Sequence, residues 1–290
     1  MIIYFSDGRL GNQIFQFVFL CSISNSNEGI LTLFMDEFFE IFEIDNCNIT
    51  NFSVKNRYVR FLIRKAIFPA VDRIFKGLAN FKIITLYQQK RDANKFPLPE
   101  YIVKKGYVPI KYVAPDFYQS EKLFRKEILG KMKIKEKYVK EAQNIINSFP
   151  KETEKVFIHI RRGDYVDLVF LGQKGIVLPK SYYLKAISEL NKEVRNPFYI
   201  FVSDNPDYVK DCYENIEPKY ISNNSVGVDL ALMSLCEYGV CSNSTFSWWG
   251  AYLMNNRKKV IFPKYWFGWK QKIESHPGIY PDFATIIEVE

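Results

Sequence analysis

Residues 155–165 read KVFIHIRRGDY, a short apolar run broken only by His159 that passes straight into two arginines, a glycine and an aspartate. The run stays apolar instead of alternating. That is the pattern of a strand inside a parallel sheet covered on both faces. A second run of the same kind, FYIFVS at 198–203, also ends on a polar turn. Working outward, strands are predicted at Ile2–Phe5, Ile30–Phe34, Ile83–Tyr87, Val156–Ile160, Phe198–Ser203, Gly239–Ser242 and Val260–Phe262. Helical patterns lie between them, around 12–24, 57–78, 117–130, 135–149, 180–195, 206–215, 228–237 and 245–255. This alternation is α/β. The polar stretch 131–155, with Pro150 ending a helix, predicts two lobes, 1–150 and 151–290, with the active cleft expected between them.

The composition narrows the function classes. A chain of 290 residues with 25 Phe, 19 Tyr and 4 Trp has enough apolar surface to offset chain entropy, so disorder is excluded. Five cysteines, odd in number and widely spaced, do not make a disulfide framework, and two histidines are too few for a zinc cluster. No run reaches the ~18 apolar residues of a membrane span. The amino terminus lacks the basic start of a signal peptide, so a cytoplasmic setting is expected.

The net charge of +8 is unevenly placed: residues 1–54 carry −6, 55–95 carry +9 and 96–290 carry +5. In 55–95, Arg57, Arg60, Arg64 and Lys65 interleave with Val59, Phe61, Leu62, Ile63 and Ile67. Three settings suit such a stretch: a solvated helix packed on its own domain, peripheral contact with an anionic membrane surface, and a nucleic acid. The first is the common behaviour of surface helices. No nucleic-acid-binding module accompanies the charge, so no nucleic-acid partner is expected.

Four motifs carry chemistry. Arg161 and Arg162 stand where a buried strand ends, which is where open α/β sheets bind ligands. An anionic ligand explains two adjacent guanidiniums there, because their forks match phosphate oxygens. Asp164 is placed to orient one of them, and a purely structural Arg–Asp network is the alternative. In the second motif, CSNSTFSWWG (241–250), Ser244 and Thr245 open a helix and either cap it or bind phosphate on its amides. In the third, VSDNP (202–206), Asp204 accepts from a ribose or base, or caps the next helix; Asp229, in GVDLALMSLCEY, either caps or accepts from the N1 and N2 edge of guanine. The fourth, GRLGNQ (8–13), is a glycine turn before an apolar helix and is neither a dinucleotide nor a Walker loop.

In this order the motifs resemble the α1,2-fucosyltransferases, the bacterial ones especially. The matching stretches are GRLGNQIFQF (8–17), DFYQSEKLF (116–124), HIRRGDY (159–165), LPKSYYLKAI (178–187), FVSDNPDYVK (201–210) and DLALMSLCEYGVCSNSTFSWWGAYL (229–253). The resemblance implies a GT-B-like fold of two Rossmann-like lobes facing across a cleft, GDP-β-L-fucose as donor, a galactose-terminated glycan as acceptor, inversion at the anomeric carbon and no metal or other cofactor. It makes Arg161 the catalytic residue, holding the phosphate beside the leaving oxygen with support from Arg162 and Asp164. His159 and Asp229 would contact guanine, and Ser244 and Thr245 would form the phosphate turn. Asn12 and Gln13 would line the cleft near the sugar and acceptor. Two features depart from the family pattern: Asp7 stands where the family loop commonly has glycine, and 166–177 has no counterpart, so it is expected to shape the acceptor pocket. Asp7 and Asp167 are the candidate general bases by position, and neither is assigned.

Overall fold

A computed structural model describes all 290 residues, which divide into two compact units. The first comprises Met1–Lys133 with Pro277–Ile279, the second Ile134–His276 with Tyr280–Glu290. The division falls at residue 133 instead of 150. Helix α5 (Glu136–Asn147) goes with the second unit because its buried Tyr138 lies against Gly227 there.

The first unit begins β1 (Ile2–Phe5), α1 (Leu10–Ile23), β2 (Ile30–Leu33), α2 (Asp36–Ile41), β3 (Phe42–Ile44) and β4 (Ile49–Phe52). It continues α3 (Arg57–Leu62), a π-helical turn at Ile63–Ile67, α4 (Phe68–Asn80), β5 (Thr85–Arg91), β6 (Pro97–Lys104) and β7 (Lys111–Val113). Six strands form one sheet in the order β4-β2-β1-β7-β5-β6, parallel except for the β5/β6 edge. β3 pairs separately with β8 (Met132–Ile134). Helix α1 carries no charged residue and is buried along most of its length, with Phe17 stacked on Phe38 and Phe19 on Tyr118.

The helix expected over 117–130 is absent. Two 3₁₀ turns at Glu121–Leu123 and Lys126–Lys131 stand in its place. Tyr118 adopts a left-handed backbone, buries its ring against Phe19 and donates its hydroxyl to the Ala114 carbonyl. These long-range contacts override local helical preference.

In the second unit, β9 (Glu154–Ile160), β12 (Pro197–Ser203), β13 (Lys219–Ile221), β14 (Tyr238–Val240), β15 (Lys259–Pro263) and β16 (Ala284–Ile287) form an all-parallel sheet ordered β13-β12-β9-β14-β15-β16. The small hairpin β10 (Val169–Phe170) and β11 (Gln173–Lys174) stands apart from it. Helices α6 (Lys180–Leu190), α7 (Pro206–Cys212), α8 (Val226–Ser234) and α9 (Thr245–Tyr252) connect the strands. Counted within the unit, the strand order is 3-2-1-4-5-6, that of a dinucleotide-binding Rossmann sheet. Its core is Val156, Ile158 and Ile160 of β9 with Tyr182, Tyr183, Phe201, Val240 and Ile261. In this topology the order reverses between β9 and β14, and the crevice beyond their carboxyl ends is the ligand site.

Candidate active site

The strand order brings the arginine motif and the serine-rich turn together. β9 ends at Ile160 and β14 at Val240, on adjacent parallel strands, so Arg161 and Ser242 leave the same sheet edge. His159 reaches across, its Nδ1 lying 2.8 Å from Ser242 Oγ and its ring 5.6 Å from that of Phe246. Burial, reinforced by the charge of Arg161, pushes this imidazole down to about 3. It is therefore neutral at physiological pH, a hydrogen-bonding group and not a cation.

Arg161 donates through Nη2 to Asp164 Oδ1 at 2.5 Å, forms an ion pair through Nη1 with Asp204 Oδ2 at 3.0 Å, and lies over the Tyr165 ring at 5.2 Å. The other oxygen of Asp204 accepts the Arg162 backbone N–H at 2.8 Å. Asp204 therefore does not cap α7; Asn205 does, accepting from the Tyr208 amide at 3.0 Å. The register explains the difference. Ser203, the last residue of β12, stands opposite Ile160, so Asp204 just beyond the strand meets Arg161. Between the two arginines' partners sits Gly163 at φ +26°, where a Cβ would lie 2.5 Å from Asp204 Oδ2. Only glycine lets the carboxylate approach this turn.

Arg162 turns the other way, its guanidinium 3.7 Å from the Tyr208 ring centre and its Nε buried without a partner. It lines a pocket of about 250 Å³ with Val166, Lys174, Gly175, Val177 and Lys270. Arg162 and Lys270, beside the Lys174–Asp167 pair, leave this small pocket cationic, which suits an anionic ligand. The segment 166–177 thus borders the arginine turn. Asp167, one candidate base, is paired with Lys174 at 2.8 Å.

Ser244 is the N-cap of α9, its Oγ accepting from the Phe246 amide at 3.3 Å, and Thr245 is the first helical residue. Trp248 and Trp249 are wholly buried and Trp248 stacks on Tyr252, which fixes this turn on the core. Asn243, missed in the sequence reading, is completely buried; its Nδ2 donates to the Ile176 carbonyl while Oδ1 has no partner. An unsatisfied buried acceptor costs about 1–3 kcal/mol.

Asp229 lies in the first turn of α8, whose N-cap is Ser225, so it is not a cap. It accepts from the hydroxyl of Ser222, the residue that follows β13. Burial pushes its carboxyl up to about 7, against hydrogen bonds from Ser222 and Asn224 that pull it down. β13 lies beyond β12 on the same edge, so the polar groups run along that edge in the order Ser222, Asp204, Arg161, Ser242.

In the first unit, Gly8 (φ +82°) makes the turn into α1, with room for no Cβ beside Asn12. Gln13 is buried and spends its amide on backbone: Nε2 donates to the carbonyls of Gly8 and Phe34, and Oε1 accepts the Phe38 N–H. It shapes the loop. Asn12 Oδ1 accepts from Gln119 Nε2 at 2.8 Å. Glu37 receives the Leu10 amide and Arg9 Nε, and Gln16 ties Ser6 to the Asp7 carbonyl; neither residue was singled out from the sequence. Beyond β1 and β2 opens a pocket of about 340 Å³ lined by Phe5, Ser6, Asp7, Phe34, Arg64, Lys65 and Phe68. Asp7, the other candidate base, is bound to Arg64 Nη1 at 2.7 Å. No group of three or more His, Cys, Asp or Glu side chains is placed to hold a metal ion.

Two Rossmann-like α/β units, the second with an arginine and a capped helix at its switch point, have the architecture of the GT-B fold. The family model for glycosyl transferase family 11 matches residues 2–272, and the chain belongs to that family. It is 28% identical over 279 residues to an alpha-1,2-colitosyltransferase of Escherichia coli, 90% of each chain being covered. It is 35% identical over 120 residues, 40% of each chain, to the O-antigen biosynthesis glycosyltransferase WbnK of Escherichia coli. Over 166 residues it is 26% identical to galactoside alpha-(1,2)-fucosyltransferase 2 of Pongo pygmaeus, covering 52% of this chain and 48% of that one. The fold is similar to that of POFUT1 in complex with GDP-fucose (TM-score 0.53, 15% identity, 90% of this chain and 97% of that one). It is similar also to a family 9 glycosyl transferase of Veillonella parvula (TM-score 0.56, 12% identity, 99% of this chain and 85% of that one).

Proposed function

We propose that the protein transfers L-fucose from GDP-β-L-fucose to the 2-hydroxyl of a terminal galactose, with inversion and without a metal ion. The observation that carries the reading is Arg161, held by Asp164 and Asp204 at the switch point of the second unit. As the bond to the donor diphosphate breaks, negative charge grows on the leaving oxygen. A guanidinium already oriented there stabilises that charge in the transition state. The neutral imidazole of His159 and the ionised carboxylate of Asp229 hold the guanine, Asp229 accepting from the guanine N1 and N2 hydrogens, and Ser244 and Thr245 steady the phosphates. The second unit thus takes the nucleotide sugar and the first the acceptor. The first unit's pocket, where Phe34 and Phe68 stand beside the Asp7–Arg64 ion pair, has the mixed apolar and charged lining that suits a sugar ring. The five free thiols fit a cytoplasmic enzyme.

A second donor is favoured by one specific observation: the relative aligned over 90% of the chain is a colitosyltransferase. Colitose is fucose without its 3-hydroxyl. Incubating the protein with EDTA, a β-galactoside and GDP-fucose or GDP-colitose, then reading the linkage by NMR, decides between them. The expected result is an α1,2-fucosyl product formed undiminished by EDTA. Faster transfer from GDP-colitose assigns the donor instead to the dideoxy sugar, and loss of all transfer in EDTA contradicts the arginine-based reading.

A further inference from the structure

Helices α3 and α4, joined through the π-helical turn, form one helical rod over residues 57–80 in which only Ala79 is fully buried. Phe75, Leu78 and Ala79 of α4 rest on Tyr112, Ile84 and Leu86. The remainder leaves large apolar side chains in water. Tyr58 is 82% exposed, and with Phe61 and Leu62 it shares one helix face at i, i+3 and i+4 spacing. Ile67, Ile74 and Phe81 follow at intervals of seven, Phe81 being 81% exposed. The loop beside the rod adds Tyr107, 87% exposed and hydrogen-bonded through its amide to the Lys82 carbonyl.

The same surface is strongly cationic. Residues 55–83 contain eight Lys or Arg and one acid, Asp72. Arg60, Arg64 and Lys76 are neutralised by Asp36, Asp7 and Asp72. Lys55, Arg57, Arg73 and Lys82 are exposed and form no ion pair.

From this juxtaposition we propose that the rod and the 81–83 and 107–108 loops are a peripheral docking surface for an anionic phospholipid bilayer. The apolar side chains enter the headgroup–acyl boundary while the cations meet lipid phosphates, the arrangement of an interfacial amphipathic helix. No helix of the protein is long and apolar enough to cross the bilayer, so the rod lies on it. Charge disfavours the rival occupants. A second copy, paired about a two-fold axis, would set this cationic surface against itself. A nucleic acid would match the cations but leave Leu62, Ile67 and Ile74 in water.

The test needs no substrate and is independent of the donor assignment. The full chain is sedimented with vesicles of phosphatidylcholine alone and with about one-third phosphatidylglycerol. Binding is expected only to the anionic vesicles and to weaken with salt. Arg57→Glu/Arg73→Glu/Lys82→Glu should lower the partition coefficient about 100-fold or more, and Tyr58→Ser/Phe61→Ser/Phe81→Ser at least ~10-fold. Both variants should keep wild-type melting temperature and wild-type rate on a water-soluble acceptor, because these side chains are exposed. Absence of binding, equal binding to neutral vesicles, or triple variants that bind like wild type would overturn the proposal. So would a dimer abolished by the serine variant, or tight binding to a DNA duplex in place of vesicles.

Discussion

Arg161→Ala is expected to lower kcat for glycosyl transfer by about 10²–10³-fold or more, the usual loss when one preorganised donor at a developing charge is removed. The fold should survive. Asp204 keeps its hydrogen bond from the Arg162 amide, Asp164 faces solvent, and the buried groups of β9 are untouched. Arg161→Lys restores the charge but not the fork that engages two carboxylates at once, so it should recover only part of the rate. Steady-state kinetics with GDP-fucose, beside circular dichroism and thermal melting of each variant, gives the comparison. A well-folded Arg161→Ala protein turning over near the wild-type rate would remove the arginine from the mechanism.

Asp229 gives the second large effect, and it appears as a pH dependence. In the proposed guanine site its carboxyl, raised to about 7 by burial, has to be ionised to accept both guanine hydrogens. A proton therefore competes with the nucleotide. GDP affinity should be flat above about pH 7 and fall roughly tenfold per pH unit as the pH drops below it. Asn at this position keeps the shape but presents one acceptor and a donor. Asp229→Asn should weaken GDP about 10- to 100-fold at pH 8, the range for hydrogen bonds to a charged group, and abolish the slope. Calorimetric titration with GDP between pH 5.5 and 8.5 reads both (roughly 1.5 units either side of 7). An unchanged slope in the variant would assign the titration to another group.

Much of this was legible in the chain because it is locally written. The continuous apolar runs of β9 and β12 declare a covered parallel sheet, and arginines or an aspartate just after such strands stand where its ligands bind. What was not legible depends on register and distant partners. Asp204 reads as a helix cap or a ribose ligand until pairing of Ser203 with Ile160 places it on Arg161. Gln13 reads as a polar group at the site, yet it is consumed by the Gly8, Phe34 and Phe38 backbones, contacts no local pattern announces. The edge strand β6, with prolines at 97 and 99 and a largely exposed surface, lacks the apolar signal that marks interior strands. The 57–80 rod was legible as a helix, but not which part of its apolar face would remain uncovered.

On the proposed mechanism, positively charged and amide groups at the β9/β14 switch point grip the departing nucleotide. A crystal structure with GDP tests it most directly. The diphosphate is expected within hydrogen-bonding distance of the Arg161 guanidinium and beside the Ser244–Thr245 turn, with guanine on Asp229. A diphosphate bound away from Arg161, or joined to the protein through a divalent ion, would contradict it.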